Sequence, residues 1–170
     1  MDLLIVTLRL LHVVGGAVWV GMMVFMVAFL VPAIADSGPE GGKVMTAVQR
    51  RGLLTAIPVI ALVTILSGLL LYWRVSAGFA AAFIRSPTGL TLAVGAAAAV
   101  LAFLIGIAVT RPAMLRAAAL AQRAAASAEA ERAPLLAEAQ RLRTRGIAVS
   151  RLVVLLLVLA TAAMAVARYV

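Results

Sequence analysis

Residues 10–30 read Leu-Leu-His-Val-Val-Gly-Gly-Ala-Val-Trp-Val-Gly-Met-Met-Val-Phe-Met-Val-Ala-Phe-Leu. The stretch contains no Asp, Glu, Lys or Arg, and it is long enough for a bilayer-spanning helix, which needs about 20 predominantly apolar residues. It also holds His12, the only histidine of the chain. At helical spacing His12, Gly15 or Gly16, Trp19 and Met23 fall on one face. That face combines an imidazole, room for close approach of another backbone, and a large aromatic.

The rest of the chain repeats the apolar theme. Of 170 residues, 65% are apolar and 12% charged, about half the charged share of a soluble domain. So few charges cannot cover a water-facing surface, so lipid is the solvent for most of the chain. One transmembrane domain, residues 1–170, is expected. Cysteine is absent, which excludes disulfides, thiolate metal sites and thiol catalysis. The net charge of +9 suggests nucleic acid at first, but the arginines cluster between apolar runs, as the positive-inside rule produces. No basic helix is paired with base-reading polar residues. The expected partners are the lipid bilayer and other membrane subunits or a second copy of the chain, with no nucleic acid.

Four spans are predicted, at residues 3–34, 53–73, 90–109 and 147–166. The first is too long for a signal-peptide core, which runs to ~7–15 residues, and no basic region precedes it. Residues 36–42, rich in Gly and Pro, should end it, and residues 43–51 read as a short amphipathic helix at the membrane surface. Pro58 predicts a kink early in the second span. Thr55, Thr64 and Ser67 can bond back to the helix or across to a neighbour. Tyr72, Trp73 and Arg74 mark the far interface, and residues 75–89 read as a loop whose Phe79 and Phe83 dip into that interface. In the third span Gly95 with Ala99, and Ala102 with Gly106, are small pairs that admit a close helix neighbour. Thr110-Arg111-Pro112 should close this span. Residues 113–128 and 134–145 then form an antiparallel helical hairpin, about 113–145, outside the membrane. The fold class is all-α: an integral membrane four-helix bundle with a cytoplasmic helical hairpin between spans three and four.

Charge sets the expected orientation. The loops after spans one and three hold Lys43, Arg50, Arg51, Arg111, Arg116, Arg123, Arg132, Arg141, Arg143 and Arg145, against Arg9, Arg74, Arg85 and Arg168 on the other side. The richer side should be cytoplasmic. Both termini are then periplasmic or extracellular, with His12 one to two turns below that surface.

Three readings of His12 stand open. It can hydrogen-bond a backbone carbonyl of a neighbouring span. It can ligate haem b, with Arg9 and Arg74 near the propionates and Trp19 on the same face. It can bind copper together with Met22, Met23 and Met26, whose thioethers suit Cu(I), although methionines more commonly fill core gaps. Because the histidine is single, bis-histidine haem within one chain is excluded. All six acidic residues lie outside the spans, which removes the usual carboxylate proton relay. No nucleophile–base pair or glycine-rich phosphate loop is present.

Leu11-His12, Trp19, Gly21 and Pro32, followed by residues 67–73 (Ser-Gly-Leu-Leu-Leu-Tyr-Trp), resemble the copper-resistance D (CopD-like) group of bacterial membrane proteins. The leucine-histidine, tryptophan-glycine, proline pattern is also similar to the HemJ-type protoporphyrinogen oxidase group. The resemblance implies a four-helix membrane bundle with His12 at the family's ligand position. The residues themselves point first to a non-catalytic accessory or assembly subunit of the bacterial inner membrane, with haem binding and copper uptake or transfer as alternatives.

Overall fold

The computed structural model describes residues 2–170, with Pro39 and Glu40 described as backbone alone. The described residues form six helices: α1 (Leu3–Asp36), α2 (Gly38–Arg50), α3 (Leu53–Val75), α4 (Ala81–Ile84), α5 (Pro87–Ala126) and α6 (Glu129–Val166). Four of them, α1, α3, α5 and α6, are long and apolar enough to cross a membrane. They run up and down. At one end Asp2 pairs with Arg74 at 2.7 Å, tying the start of α1 to the end of α3. At the same end Thr88 Oγ1 donates to the Val170 carbonyl at 2.7 Å, tying the start of α5 to the carboxyl terminus.

Two close seams build the bundle. Along the first, α1 meets α3 where glycine removes the side chain that would keep them apart. A Cβ on Gly15 would stand 2.6 Å from Thr64 Oγ1, and one on Gly68 would stand 2.5 Å from His12 Cε1. Along the second, α5 meets α6 at Gly95, whose added Cβ would lie 3.2 Å from both the Ala160 carbonyl oxygen and Ala163 Cβ. Between the seams sits the core: Trp19, Ala61, Ala102, Val153 and Leu157. Large apolar side chains such as Leu10, Phe25, Phe29, Leu104 and Leu155 point outward, as a lipid solvent requires. Gly106 differs from the sequence expectation, since nothing lies within 4 Å of the Cβ it would carry.

Helix ends also depart from the sequence reading, and proline is the reason. Residues 36–42 do not form a loop; only Ser37 separates α1 from α2. Thr110-Arg111-Pro112 does not end the third helix, which continues to Ala126. In both α1 and α5 a π turn, Met26–Leu30 and Gly106–Thr110, precedes the proline. The residue just before each proline donates five residues back, Val31 to the Met26 carbonyl and Arg111 to the Gly106 carbonyl. A proline ring collides with the carbonyl four residues earlier in a regular helix, and the wider turn relieves that clash without breaking the rod.

The separate helices expected at 134–145 and 147–166 are one rod, α6, with Pro134 near its start. The fourth apolar run opens after Arg151, which lies inside the expected span and is exposed. The expected loop 75–89 contains α4, and Phe79 and Phe83 pack on the Tyr72 ring at 6.0 Å. Beyond the bundle, α5 and α6 continue as a hairpin closed by small residues, with Ala113, Ala117, Ala124, Ala139 and Gly146 buried.

Gly15→Ala should lower thermal stability by about 1–3 kcal/mol, the usual cost of overpacking. Gly21→Ala, where nothing lies within 4 Å, should be neutral or gain up to about 1 kcal/mol from helix propensity. Thermal melts of both variants in detergent check this; equal behaviour would contradict the seam.

Candidate functional site

His12 is held by the first seam. Its Nδ1 lies 2.8 Å from the Thr64 carbonyl oxygen of α3. A carbonyl only accepts, so Nδ1 carries the proton, and in the neutral ring the lone pair sits on Nε2. Gly68 makes the contact feasible, because a Cβ there would also fall 2.7 Å from Nδ1. One hydroxyl reaches the same carbonyl: Ser67 Oγ stands 3.1 Å from Thr64 O and 2.7 Å from Val63 O, sharing its proton between them. Thr64 Oγ1 donates to Ile60 O at 2.9 Å.

The other residues singled out with His12 are not gathered around it. Trp19 is 3% exposed and packs in the core, two turns or about 10 Å further along α1. Arg74 Nη2 donates to Asp2 at 2.7 Å. Arg9 is exposed, and among the described residues neither arginine bonds His12. Met22, Met23 and Met26 lie ten or more positions beyond His12 on one helix, about 15 Å or more along its axis. Ligand atoms of one ion stand only a few ångströms apart, so a single copper ion cannot take His12 and these methionines together. Among the described residues no three His, Cys, Asp or Glu side chains converge as a metal cluster.

A second locus was not visible as a motif. A cavity of about 90 Å³ opens among α1, α3, α5 and α6 at the arginine-rich end of the spans, walled by Trp19, Met23, Ile57 and Phe103 with Thr110 and Arg111 at its polar side. Two prolines shape it. Pro58 has no N–H, so the Leu54 carbonyl four residues back loses its helical donor; Arg111 Nε donates to that oxygen at 3.4 Å. In α5 the π turn assigns the Gly106 carbonyl to the Arg111 N–H. Gly106 O is the acceptor that a threonine at position 110 would ordinarily use. Thr110 Oγ1 is buried with no hydrogen-bond partner among the described residues. The signal that could have led here is the spacing of each proline from the carbonyl or hydroxyl it disturbs.

By its fold the chain is a small multi-pass membrane protein, an all-α bundle of four apolar helices. Comparison with protein-family models, curated proteins and solved structures finds no match to it.

An unpaired buried hydroxyl costs roughly 1–3 kcal/mol. Thr110→Val, measured by thermal melts in detergent stripped of lipid, should therefore leave stability unchanged or raise it. A loss above about 1 kcal/mol would mean that the hydroxyl has a partner within the chain. His12→Ala, which removes one neutral hydrogen bond, should cost about 0.5–1.5 kcal/mol in the same assay.

Proposed function

We propose that the chain is a non-catalytic accessory or assembly subunit of a bacterial cytoplasmic-membrane complex, with both termini outside the cytoplasm and the hairpin inside it. The observation that carries this reading is the length of α5 and α6. They contain 40 and 38 residues, about 60 Å of helix at 1.5 Å per residue, whereas the hydrocarbon core needs about 30 Å. The surplus is a rigid arm of roughly 30 Å, closed along its inside by small residues and lined outside by Arg116, Arg123, Arg141, Arg143 and Arg145. Such an arm is far longer than a connection requires, and it suits an acidic protein surface. The seam around His12 supports the same reading, because its polar groups are committed to helix backbones.

One observation favours a second reading. A ring N–H bonded to a backbone carbonyl is also how ligating histidines are oriented, and the Nδ1 bond leaves the lone pair on Nε2. His12 would then be the residue that holds a b-type haem through Nε2, in keeping with the CopD-like and HemJ-type resemblance. Copper binding would fall to His12 or to the methionines separately.

The visible spectrum and metal content of the purified protein, before and after dithionite, decide between these readings. The accessory reading expects no Soret band, copper well below one per chain, and migration in a larger assembly on native gels. Arg141→Glu with Arg145→Glu should shift that assembly to the size of the isolated subunit. A Soret band that disappears in His12→Ala would overturn it in favour of haem.

The orientation has its own test. A cysteine at Ala130 should react with an impermeant thiol reagent only after the cells are opened, and one at Ala82 in intact spheroplasts. The reverse pattern would overturn the placement of the arm.

A further inference from the structure

We infer that the end of α1 and the base of the arm together seat one amphipathic helix of another subunit, apolar on one face and acidic along its edges. The inference rests on the accessory reading and starts from a mismatch of length. α1 has 34 residues and α3 has 23, and Asp2 ties the start of the one to Arg74 at the end of the other. α1 therefore outruns α3 by eleven residues at the arginine-rich end, about 16 Å of helix at 1.5 Å per residue. The overhang runs from Met26 to Asp36, and up to Ala35 it carries no charge.

The neighbours of the overhang are basic. Arg50 and Arg51 stand just before α3, and Arg111 donates to the Leu54 carbonyl in its first turn. Cationic side chains mark the headgroup level of a span, and the overhang continues past that level. Its π turn, Met26–Leu30, lies against α6. That turn stands seven to eleven positions beyond Trp19, and the same count along α6 from Val153, which shares the core with Trp19, reaches residues 142–146 with Arg143 and Arg145. Phe29 is 63% exposed and stacks on Phe25 with ring centroids 6.3 Å apart. Pro32 and Ala33, one turn on, are exposed as well. Phe29 points outward like the lipid-facing side chains of the span, but at its level the next helix offers arginines. An exposed apolar strip with a polar rim marks an interaction site, and a helix laid along such a strip is a common occupant. The rim is positive, so the complementary edges are acidic.

The full-length protein in its native membrane is tested with photoreactive benzoylphenylalanine in place of Phe29 or, as a lipid-facing control, of Leu155, which is 67% exposed within the fourth apolar run. Irradiation at position 29 should join the chain to a segment of another subunit that repeats apolar residues at helical spacing and carries Asp or Glu beside them. Arg143→Glu with Arg145→Glu should lower the yield of that adduct about tenfold. Position 155 should give lipid adducts.

Lipid adducts at position 29, an adduct to a second copy of this chain, or a partner segment without acidic residues would overturn the proposal. So would an undiminished yield in the arginine variant; if that variant does not fold, the composition of the cross-linked segment still decides. Native gels of the same membranes separate this from failure of the accessory reading. A larger assembly without a protein adduct at position 29 overturns the docking site alone, whereas the absence of any larger assembly overturns both.

Discussion

Hydrocarbon offers no hydrogen bonds, and the rest of the structure follows from that constraint. Hydroxyls within the spans bond back to their own helix: Thr64 to Ile60 O, Thr91 to Pro87 O, Ser150 to Gly146 O and Thr161 to Leu157 O. His12 extends the rule across two helices by donating to the Thr64 carbonyl. Proline breaks the rule by deleting a donor, and the fold answers at each site. In α1 and α5 the chain widens into a π turn; in α3 the carbonyl opposite Pro58 receives Arg111. Thr110 is the residue whose hydroxyl finds no partner among the described residues.

The same constraint explains why the bundle is built as two hairpins rather than four equivalent helices. Lipid tails are as apolar as leucine, so association in the membrane relies on close contact and on polar groups shared between helices. Glycine supplies the contact at Gly15, Gly68 and Gly95. The pairs α1 with α3 and α5 with α6 are thereby sealed, and the space left between the pairs becomes the cavity at the arginine-rich end. No loop interrupts α5 or α6 between the span region and the tip of the hairpin.

Much of this was legible in the sequence. The four apolar runs gave the spans, and Gly95 and the alanine-rich segment gave one seam and the hairpin. What escaped was continuity. Pro112 read as a stop, because a proline's missing donor and ring clash are local facts, whereas the π turn that absorbs them depends on the carbonyls a turn earlier; Gly38 and Pro39 read as breakers and Pro134 as the first turn of a new helix, and they lie near the starts of α2 and α6. The pairing of His12 with Gly68 also escaped, since the two lie 56 positions apart and only the helix crossing joins them. The cavity was invisible for the same reason. Its polar side comes from an arginine read as an interfacial charge and a threonine read as part of a helix end.

The closing of α1 against α3 over His12 is the central claim, and it can be measured directly because the chain has no cysteine. The Cβ that Gly15 would carry stands 3.7 Å from Thr64 Cβ, within the ~3.5–4.5 Å that a disulfide spans. In membranes, Gly15→Cys with Thr64→Cys should therefore cross-link under mild oxidation and lose reactivity toward maleimide. Gly21→Cys with Thr64→Cys should remain reactive. Two free thiols in the first pair under the same oxidation would contradict the seam, and with it the account of His12 as a part of helix pairing.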